Sequence, residues 1–575
     1  MVQRRDFGFG LAVLAAGATL PSCMAARPEI AGGFVGANAE RGHVLRQPLA
    51  DVLSRYPLAT DNPRRTRIVI AGGGVAGLAA ARALRLRGMN DFALLELEDS
   101  AGGNSRSHRI AGMACPLGAH YLPVPGDSAP DVQNLLETLG LRQRVNGRWQ
   151  YDERHLCHSP QERLYYQGQW QDGLLPTADI DAATLGDYRD FAAAVGRLAR
   201  AAPFHMPVSN ASSQALVPIH AALDAIDFET WLNQQQLARS PQLRWYLNYC
   251  CLDDYGAGID SVSAWAGIHY FASRHGFHAP DDLDSNSSSS SEESGILTWP
   301  EGNGWLTQQL AAPLIANNQL HTGRTVLRIA AGRHGVEIDA LHHHPASGEI
   351  RRERWLAEQC IVALPLFIAA RTVENPPPAL KPATSVLRYA PWLVANVQLA
   401  STLQDAQAGA APSWDNVIYG AGGNPANSNS KAPSDAVSLP GLGYVDARHQ
   451  LLQPAQAPGK TVLTYYRAFG LSSTARGALY AKPWSHWRDS VIAELAIPHP
   501  DLPAKVAQMD VVRYGHAMSS PVPGIRSHAA LRFLQQSAFN SGSERLHFAH
   551  SDLSGYSVFE EAFTCGHRVG TRLGL

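Results

Sequence analysis

RIVIAGGGVAGLAAARALRLRGMNDFALLELEDSAGG, residues 67 to 103, is the stretch whose reading decides the fold. Ile68 to Ala71 is a short apolar run, as expected of a parallel strand covered on both faces. Gly72, Gly74 and Gly77 follow at the GxGxxG spacing, and the Ala-rich segment Leu78 to Leu86 reads as a helix. Each glycine has a separate duty. The first permits a tight turn, the second lets a pyrophosphate approach bare backbone, and the third lets helix and strand pack closely. Phosphates then meet the N–H groups of the helix start (Val75, Ala76), where the macrodipole favours negative charge. Phe92 to Leu95 forms a second apolar strand and ends in Glu96, 24 positions after Gly72. That spacing suits the acid that binds a ribose hydroxyl, about 20 residues on. Strand, glycine turn, helix, strand and acid together imply a site for the ADP half of a dinucleotide. A carboxylate at Glu96 repels a 2′-phosphate, which disfavours NADP.

The whole chain sets broad limits. Its 575 residues, 45% hydrophobic and 17% charged, describe a globular protein with ample core, and length alone suggests roughly three to four domain equivalents. Net charge is −2 and there is no long basic run, so nucleic acid is not an expected partner. Residues 1–26 read as an export signal: Arg4-Arg5 precede an apolar stretch, Gly8 to Leu20, too short to span a bilayer. The paired arginines suggest the twin-arginine route, which carries folded proteins, and so a periplasmic or exported destination. Leu20-Pro21-Ser22-Cys23 resembles a lipoprotein cleavage box, making Cys23 a candidate lipid anchor; cleavage near Ala25 is the alternative. The cysteines after Cys23 have neither CxxC nor zinc spacing and read as small buried hydrophobes.

Along the chain, residues 27–65 read as an irregular arm, with Gly32, Gly33 and Gly36 in loop. Helices are expected at Asn134 to Leu139, Phe191 to Ala201 and Ala221 to Asn233, and a strand at Leu164 to Trp170. Residues 284–294, DSNSSSSSEES, can bury almost nothing and read as a solvated loop. Trp305 to Ala312 reads as a helix and Thr325 to Ile329, Val336 to Ala340 and Gln359 to Leu364 as strands. His342-His343-His344 falls in a turn, and no metal is expected there. Leu393 to Leu399 and Thr461 to Ala468 read as antiparallel strands, Arg545 to Ala549 as a strand and Glu560 to Leu573 as a closing helix. The expected fold is α/β: a discontinuous Rossmann-like dinucleotide-binding domain interleaved with an α+β substrate domain. Its pieces are 27–65 (arm), 66–125, 296–365 and 541–575 (cofactor), and 126–295 and 366–540 (substrate).

These residues resemble the flavin-containing amine oxidase superfamily, which includes monoamine and polyamine oxidases and, more distantly, protoporphyrinogen oxidase and the carotenoid desaturases. In that family a Gly-Gly pair follows the acid, matched by Gly102-Gly103. A GA-x-aromatic step lies beside the flavin, and Gly118-Ala119-His120-Tyr121 is similar to the polyamine oxidase version. Val326 falls where backbone contacts the adenine, and Phe548, Ala549 and Asp552 match the piece at the ribityl and pyrophosphate region. The resemblance implies FAD without a covalent link. It implies hydride transfer from a substrate C–H to flavin N5, an amine becoming an imine, with oxygen or another acceptor taking the electrons.

Three positions depart from the pattern. Asn104 replaces the arginine after Gly-Gly, with Arg106 a substitute for its charge. Asn396 stands where the family has a lysine that holds a water at N5. Val558 occupies the place of the substrate-sandwiching tyrosine, with Tyr556 two positions away. His120 is the candidate to tune the amine's proton, having an ordinary pKa of about 6.5, and Tyr121 and Tyr556 are candidates to stack on substrate. Trp265, His269, Tyr270 and His516 are further candidates to line the cavity. The alternatives are an FAD dehydrogenase or desaturase acting on a lipophilic C–C or C–N bond, and a flavin-binding protein without turnover.

Overall fold

The structure is a computed structural model that describes residues 29–58, 63–211, 217–280, 295–420, 441–447, 449–450, 459–540 and 545–574. The export signal, Cys23 and the serine-rich run 284–294 lie outside those residues.

Two large sheets organise the described residues. In the first, the strand Arg64–Ala71 pairs in parallel with Phe92–Leu95 on one side and Ile350–Val362 on the other. The apolar run Ile68 to Ala71 is fully enclosed, as both-face coverage requires. Ile350–Val362 is long enough to serve three neighbours in two different ways. Its far half runs parallel to Arg64–Ala71 and Leu546–Phe548, while its start runs antiparallel to Val336–His343, which in turn pairs with Arg324–Ala331. Three stretches distant in sequence therefore share one sheet. Helices Val75–Leu86, Gly304–Ala316 and Phe559–Leu573 cover it.

The second sheet runs Ala31–Phe34, Val506–Ser520, Arg388–Leu399, Thr461–Ala468, Tyr444–Asp446, Asp415–Ile418, Glu162–Tyr166 and Gln169–Asp172. Side chains alternate across Arg388–Leu399. Trp392 and Val394 join one apolar cluster with the helical layer around Leu247 and Trp265, while Leu393, Ala395 and Val397 join another behind the sheet.

The arm departs from its sequence reading. Ala31–Phe34 is a strand pairing in parallel with Gln508 to Val511, and Ala39–His43 and Leu49–Arg55 are helices. The strand has no apolar alternation because a glycine is required: a Cβ at Gly32 would lie 1.9 Å from the Met509 carbonyl oxygen. Beyond it, Asn38 donates to the Glu98 carboxylate from its backbone N–H (2.9 Å) and its amide (2.6 Å), and Arg41 reaches the Leu97 carbonyl at 2.9 Å. The arm thus ties the edge of the second sheet to the segment after Glu96. Other corrections are local. Leu164 to Trp170 spans two strands, Glu162–Tyr166 and Gln169–Asp172, folded back on each other. Ala221 to Asn233 spans two helices, Pro218–Asp224 and Phe228–Gln234. His342 and His343 belong to the strand Val336–His343 rather than a turn, with His342 Nδ1 3.1 Å from Glu353. Among the described residues no cluster could hold a metal, and no helix is long and apolar enough to cross a membrane. Cys115, Cys157, Cys250, Cys251, Cys360 and Cys565 are free and buried.

The closing helix reaches the phosphate-side helix through glycines. A Cβ at Gly566 would lie 1.9 Å from the Ala76 carbonyl oxygen, and one at Gly570 2.3 Å from that of Ala80. Both obstacles are backbone, so neither can turn aside. Gly566→Ala is expected to lower stability by about 1–3 kcal/mol, read as a fall in melting temperature; a melt unchanged from wild type would show that the helices can part.

Candidate functional site

The glycine turn builds the first half of the site. Gly72 has φ +104, a region that favours glycine, and a Cβ there would meet the Ala363 carbonyl oxygen at 2.5 Å. A Cβ at Gly77 would fall 1.9 Å from the Gly72 carbonyl oxygen, so the helix starts hard against the turn. Gly74 is different: a Cβ there would meet nothing nearer than the Gly103 Cα at 3.9 Å. One glycine is open where its neighbours are crowded, as bare backbone awaiting a phosphate requires. The helix begins at Val75, earlier than Leu78, so the N–H groups of Val75, Ala76 and Gly77 face outward from its first turn.

Glu96 closes this cradle. Its buried carboxylate accepts the Gly73 N–H at 2.8 Å and the Glu98 N–H at 2.8 Å. Burial pushes its pKa up, against those two donors and the Arg106 charge. Two N–H donors leave the carboxylate with acceptor capacity for sugar hydroxyls. Gly102 donates to the Gly73 carbonyl at 2.7 Å, and Gly103 packs over Gly74. Asn104 donates its amide to the Ala517 carbonyl, and Arg106 donates Nε to the Gly103 carbonyl at 2.9 Å while standing 3.7 Å from Glu98. The arginine charge therefore sits at the Gly-Gly turn, two residues beyond its expected place.

Asp552 has an oxygen to which a ligand could donate. It is fully buried, and its Oδ2 accepts the Leu366 N–H (2.9 Å) and the Tyr389 hydroxyl (2.6 Å). Its Oδ1 has no hydrogen-bond partner within the described protein. His550 Nδ1 stands 3.4 Å from that oxygen and accepts the Asp552 N–H at 3.1 Å. Burial alone would raise this carboxyl, yet His550, Tyr389 and the Leu366 N–H hold it below its ordinary value. An unpaired oxygen on a buried charged group costs about 1–3 kcal/mol or more, which a hydroxyl of a bound nucleotide would offset. Val326, also buried, stands at an irregularity in the pairing of Arg324–Ala331, where the register slips before Arg328. The residues present fit FAD.

The segment Pro116 to Ala119 joins the two sheets. Its N–H groups face the cradle, Leu117 donating to the Arg106 carbonyl and Ala119 to the Asn104 carbonyl, both at 2.9 Å. Its carbonyls face the second sheet. Pro116 accepts from the Asn396 amide (3.0 Å), Leu117 from the Tyr514 hydroxyl (2.9 Å) and Gly118 from the Tyr466 hydroxyl (3.1 Å). Gly118 is obligatory, because a Cβ would lie 2.2 Å from the Asn104 carbonyl oxygen.

Immediately after this segment lies an aromatic box. The His120 ring stacks on Tyr466 with centroids 4.4 Å apart, and Tyr121 and Trp414 stand 5.0 and 5.4 Å away. Burial takes the His120 pKa down to about 3, so the imidazole is neutral at physiological pH. It can accept a hydrogen bond but does not store a proton, which limits the role expected from sequence. A small pocket of about 10 Å³, room for a single water, adjoins the box, lined by His120, Trp414, Pro116, Thr298, Trp299 and Asp446 among others.

Three carboxylates stand near the same box. Burial raises the pKa of Asp253 to about 7, with Asp254 and Glu162 adding to the shift. Asp415 is raised further by burial and by Glu162 and Asp253, and Glu162 by burial. Asp253 and Asp415 are half-buried, and Glu162, at the start of its strand, is exposed to solvent. Asp253 and Asp415 also act on the Tyr121 and Tyr466 hydroxyls, so the acids border the box.

Tyr556 is placed apart from His120. Its ring meets Tyr255, Trp265 and His269, and its hydroxyl donates to Glu561 at 3.2 Å. Trp265 and His269 stand in that cluster rather than in the box. His516 stacks on Phe367 instead, with centroids 4.6 Å apart. Tyr270 is linked through charge to Tyr121 and Asp253. Tyr466, within the strand Thr461–Ala468, and Trp414, just ahead of the strand Asp415–Ile418, carry no signal in the sequence; only the register sets them against His120.

The profile of the family described as flavin containing amine oxidoreductase matches residues 75–573. Similar curated proteins include protein anon-37Cs of Drosophila melanogaster, 33% identical over 82 residues, and polyamine oxidase 7 of Oryza sativa subsp. japonica, 30% identical over 92. Those stretches cover 14% and 16% of this chain and 16% and 19% of the relatives' lengths. Among solved structures, putrescine oxidase bound to putrescine superposes with a TM-score of 0.57 at 16% identity, covering 89% of this chain and 99% of that one. A fatty acid isomerase from P. acnes that produces CLA superposes with a TM-score of 0.55 at 14% identity, covering 88% and 98%. Likeness at that identity fixes the fold and leaves the substrate open. By its profile and its architecture, this chain belongs to the flavin-containing amine oxidoreductase family.

Proposed function

We propose that the chain is an FAD-dependent oxidoreductase that oxidises an amine bearing a further positive charge, such as a di- or polyamine. The observation that carries this reading is the aromatic box of His120, Tyr121, Trp414 and Tyr466, bordered by carboxylates. FAD, when bound, supplies the acceptor for the hydride lost from the carbon beside nitrogen. The protein's own groups do the rest. The box holds an uncharged carbon chain and excludes water, and neutral His120 accepts a hydrogen bond without competing for the substrate's proton. Glu162, Asp253 and Asp415 favour a cation beyond the box. Asp254, by contrast, is answered by Arg274, which also pairs with Glu560 at 2.7 Å. A lipophilic substrate would leave the acids to ionise against one another with nothing gained, which weighs against the desaturase reading. Export in the folded state, with attachment through Cys23, belongs to the same proposal and is supported by Arg4-Arg5 and Leu20 to Cys23.

Anaerobic mixing of the FAD-loaded protein with diamines, monoamines, amino acids and isoprenoids tests the reading directly. Diamines are expected to bleach the flavin fastest; bleaching by isoprenoids alone would reverse the assignment.

Asp253 gives the pH dependence. Its folded pKa is raised from 3.8 to about 7, so its stabilising contribution exists at low pH and is lost as pH rises through about 7. Cation binding runs the opposite way, strengthening as Asp253 ionises through the same window. Asp253→Asn is therefore expected to flatten both trends and to weaken diamine binding while leaving monoamine binding nearly unchanged. Calorimetry across pH 5.5 to 8.5 would check it, and equal losses for both ligands would contradict it.

A further inference from the structure

We propose that Asn396, Tyr514 and Tyr466 are positioning residues that set where the segment Pro116 to Ala119 lies against bound flavin. The proposal rests on the reading of that segment as the flavin's neighbour. Three consecutive carbonyls, of Pro116, Leu117 and Gly118, each accept one side-chain donor, and the donors come from three adjacent strands of the second sheet. Neighbouring strands lie ~4.8 Å apart and successive residues of an extended chain ~3.3 Å apart, so the three bonds together fix both the height and the slant of the segment. Its opposite edge is bonded to the Asn104 and Arg106 carbonyls. The segment can shift only if the two domains shift with it.

Asn396 is the most constrained donor. It is fully buried, its Nδ2 donates to Pro116, and its Oδ1 accepts the Thr464 hydroxyl at 2.8 Å. Its amide is engaged on both sides by protein. A lysine in this position would have no carbonyl-accepting role to spare for Thr464. Asn396 therefore acts through the segment rather than on the substrate.

The test uses the FAD-loaded full chain and needs no substrate, so a failure of the amine reading leaves it intact. Visible circular dichroism and absorption of the bound flavin are followed from pH 5 to 9 in Asn396→Asp, Asn396→Leu and Tyr514→Phe. In Asn396→Asp the buried carboxyl, while protonated, donates to Pro116 as the amide does. The flavin signal is expected to match wild type at low pH and to depart in a one-proton step as the carboxyl ionises. Asn396→Leu is expected to be displaced at every pH. The ionisable groups facing Asn396 are Asp510, opposite it in strand register, and His108, 3.0 Å from Asp510. Both remain in the Leu variant, which supplies their background titration. If the amine reading holds, kcat in the Leu variant falls ~10- to 100-fold through misplacement while KM changes little. Flavin spectra identical to wild type in the Leu and Phe variants, with only melting temperature lowered, would overturn the proposal. Should neither Asn396 variant fold, Tyr514→Phe keeps the ring and removes one hydroxyl, and an unchanged spectrum there overturns it equally.

Discussion

The molecule depends on a strip of backbone bonded along both edges. Pro116 to Ala119 gives its N–H groups to the dinucleotide cradle and its carbonyls to the second sheet. Buried backbone polar groups must be paired, and here the pairing is divided between two domains. Neither domain can satisfy the strip alone. The aromatic box begins at the next residue, His120, so what holds the domains together also aims the box. The Cβ clash at Gly118 shows how little space the arrangement leaves.

Two kinds of buried charge do different work around this strip. In the Asp254–Arg274–Glu560 group opposite charges are paired, each carboxylate standing against the guanidinium, while Asp254 Oδ2 and Arg274 Nε have no hydrogen-bond partner among the described residues. Asp552 is left one oxygen short, and Glu162, Asp253 and Asp415 stand close in charge and accessible to water. Paired charges hold a structure together. Incomplete ones are places where a ligand would lower the free energy. The incomplete groups fall at the two ends of the proposed reaction, one at the nucleotide and one at the far side of the aromatic box.

The arm adds a constraint that lies ahead of the family profile, which begins at residue 75. Ala31–Phe34 extends the second sheet, and Asn38 and Arg41 then grip the segment from Leu97 to Asp99. It crosses from one domain to the other within a few residues. Gly36 passes against Leu117, the middle of the strip. Arm, strip and cradle thus form one connected path from sheet edge to nucleotide acid.

The sequence by itself determined the cradle, because its requirements are local. A strand, a glycine turn, a helix start and an acid follow one another within residues 67 to 103, and backbone sterics at Gly72 and Gly77 permit no other residue. Strand and helix periodicity likewise placed most of the first sheet. The arm strand escaped notice because parallel pairing with Val506–Ser520 leaves no signal in AGGF. Tertiary structure alone decided the box, the acids and the role of Asn396. Tyr466 reaches His120 and Asn396 reaches Pro116 only because antiparallel register sets Asn396 opposite Thr464 and Val394 opposite Tyr466, and a register shift of one residue would turn every one of those side chains to the other face.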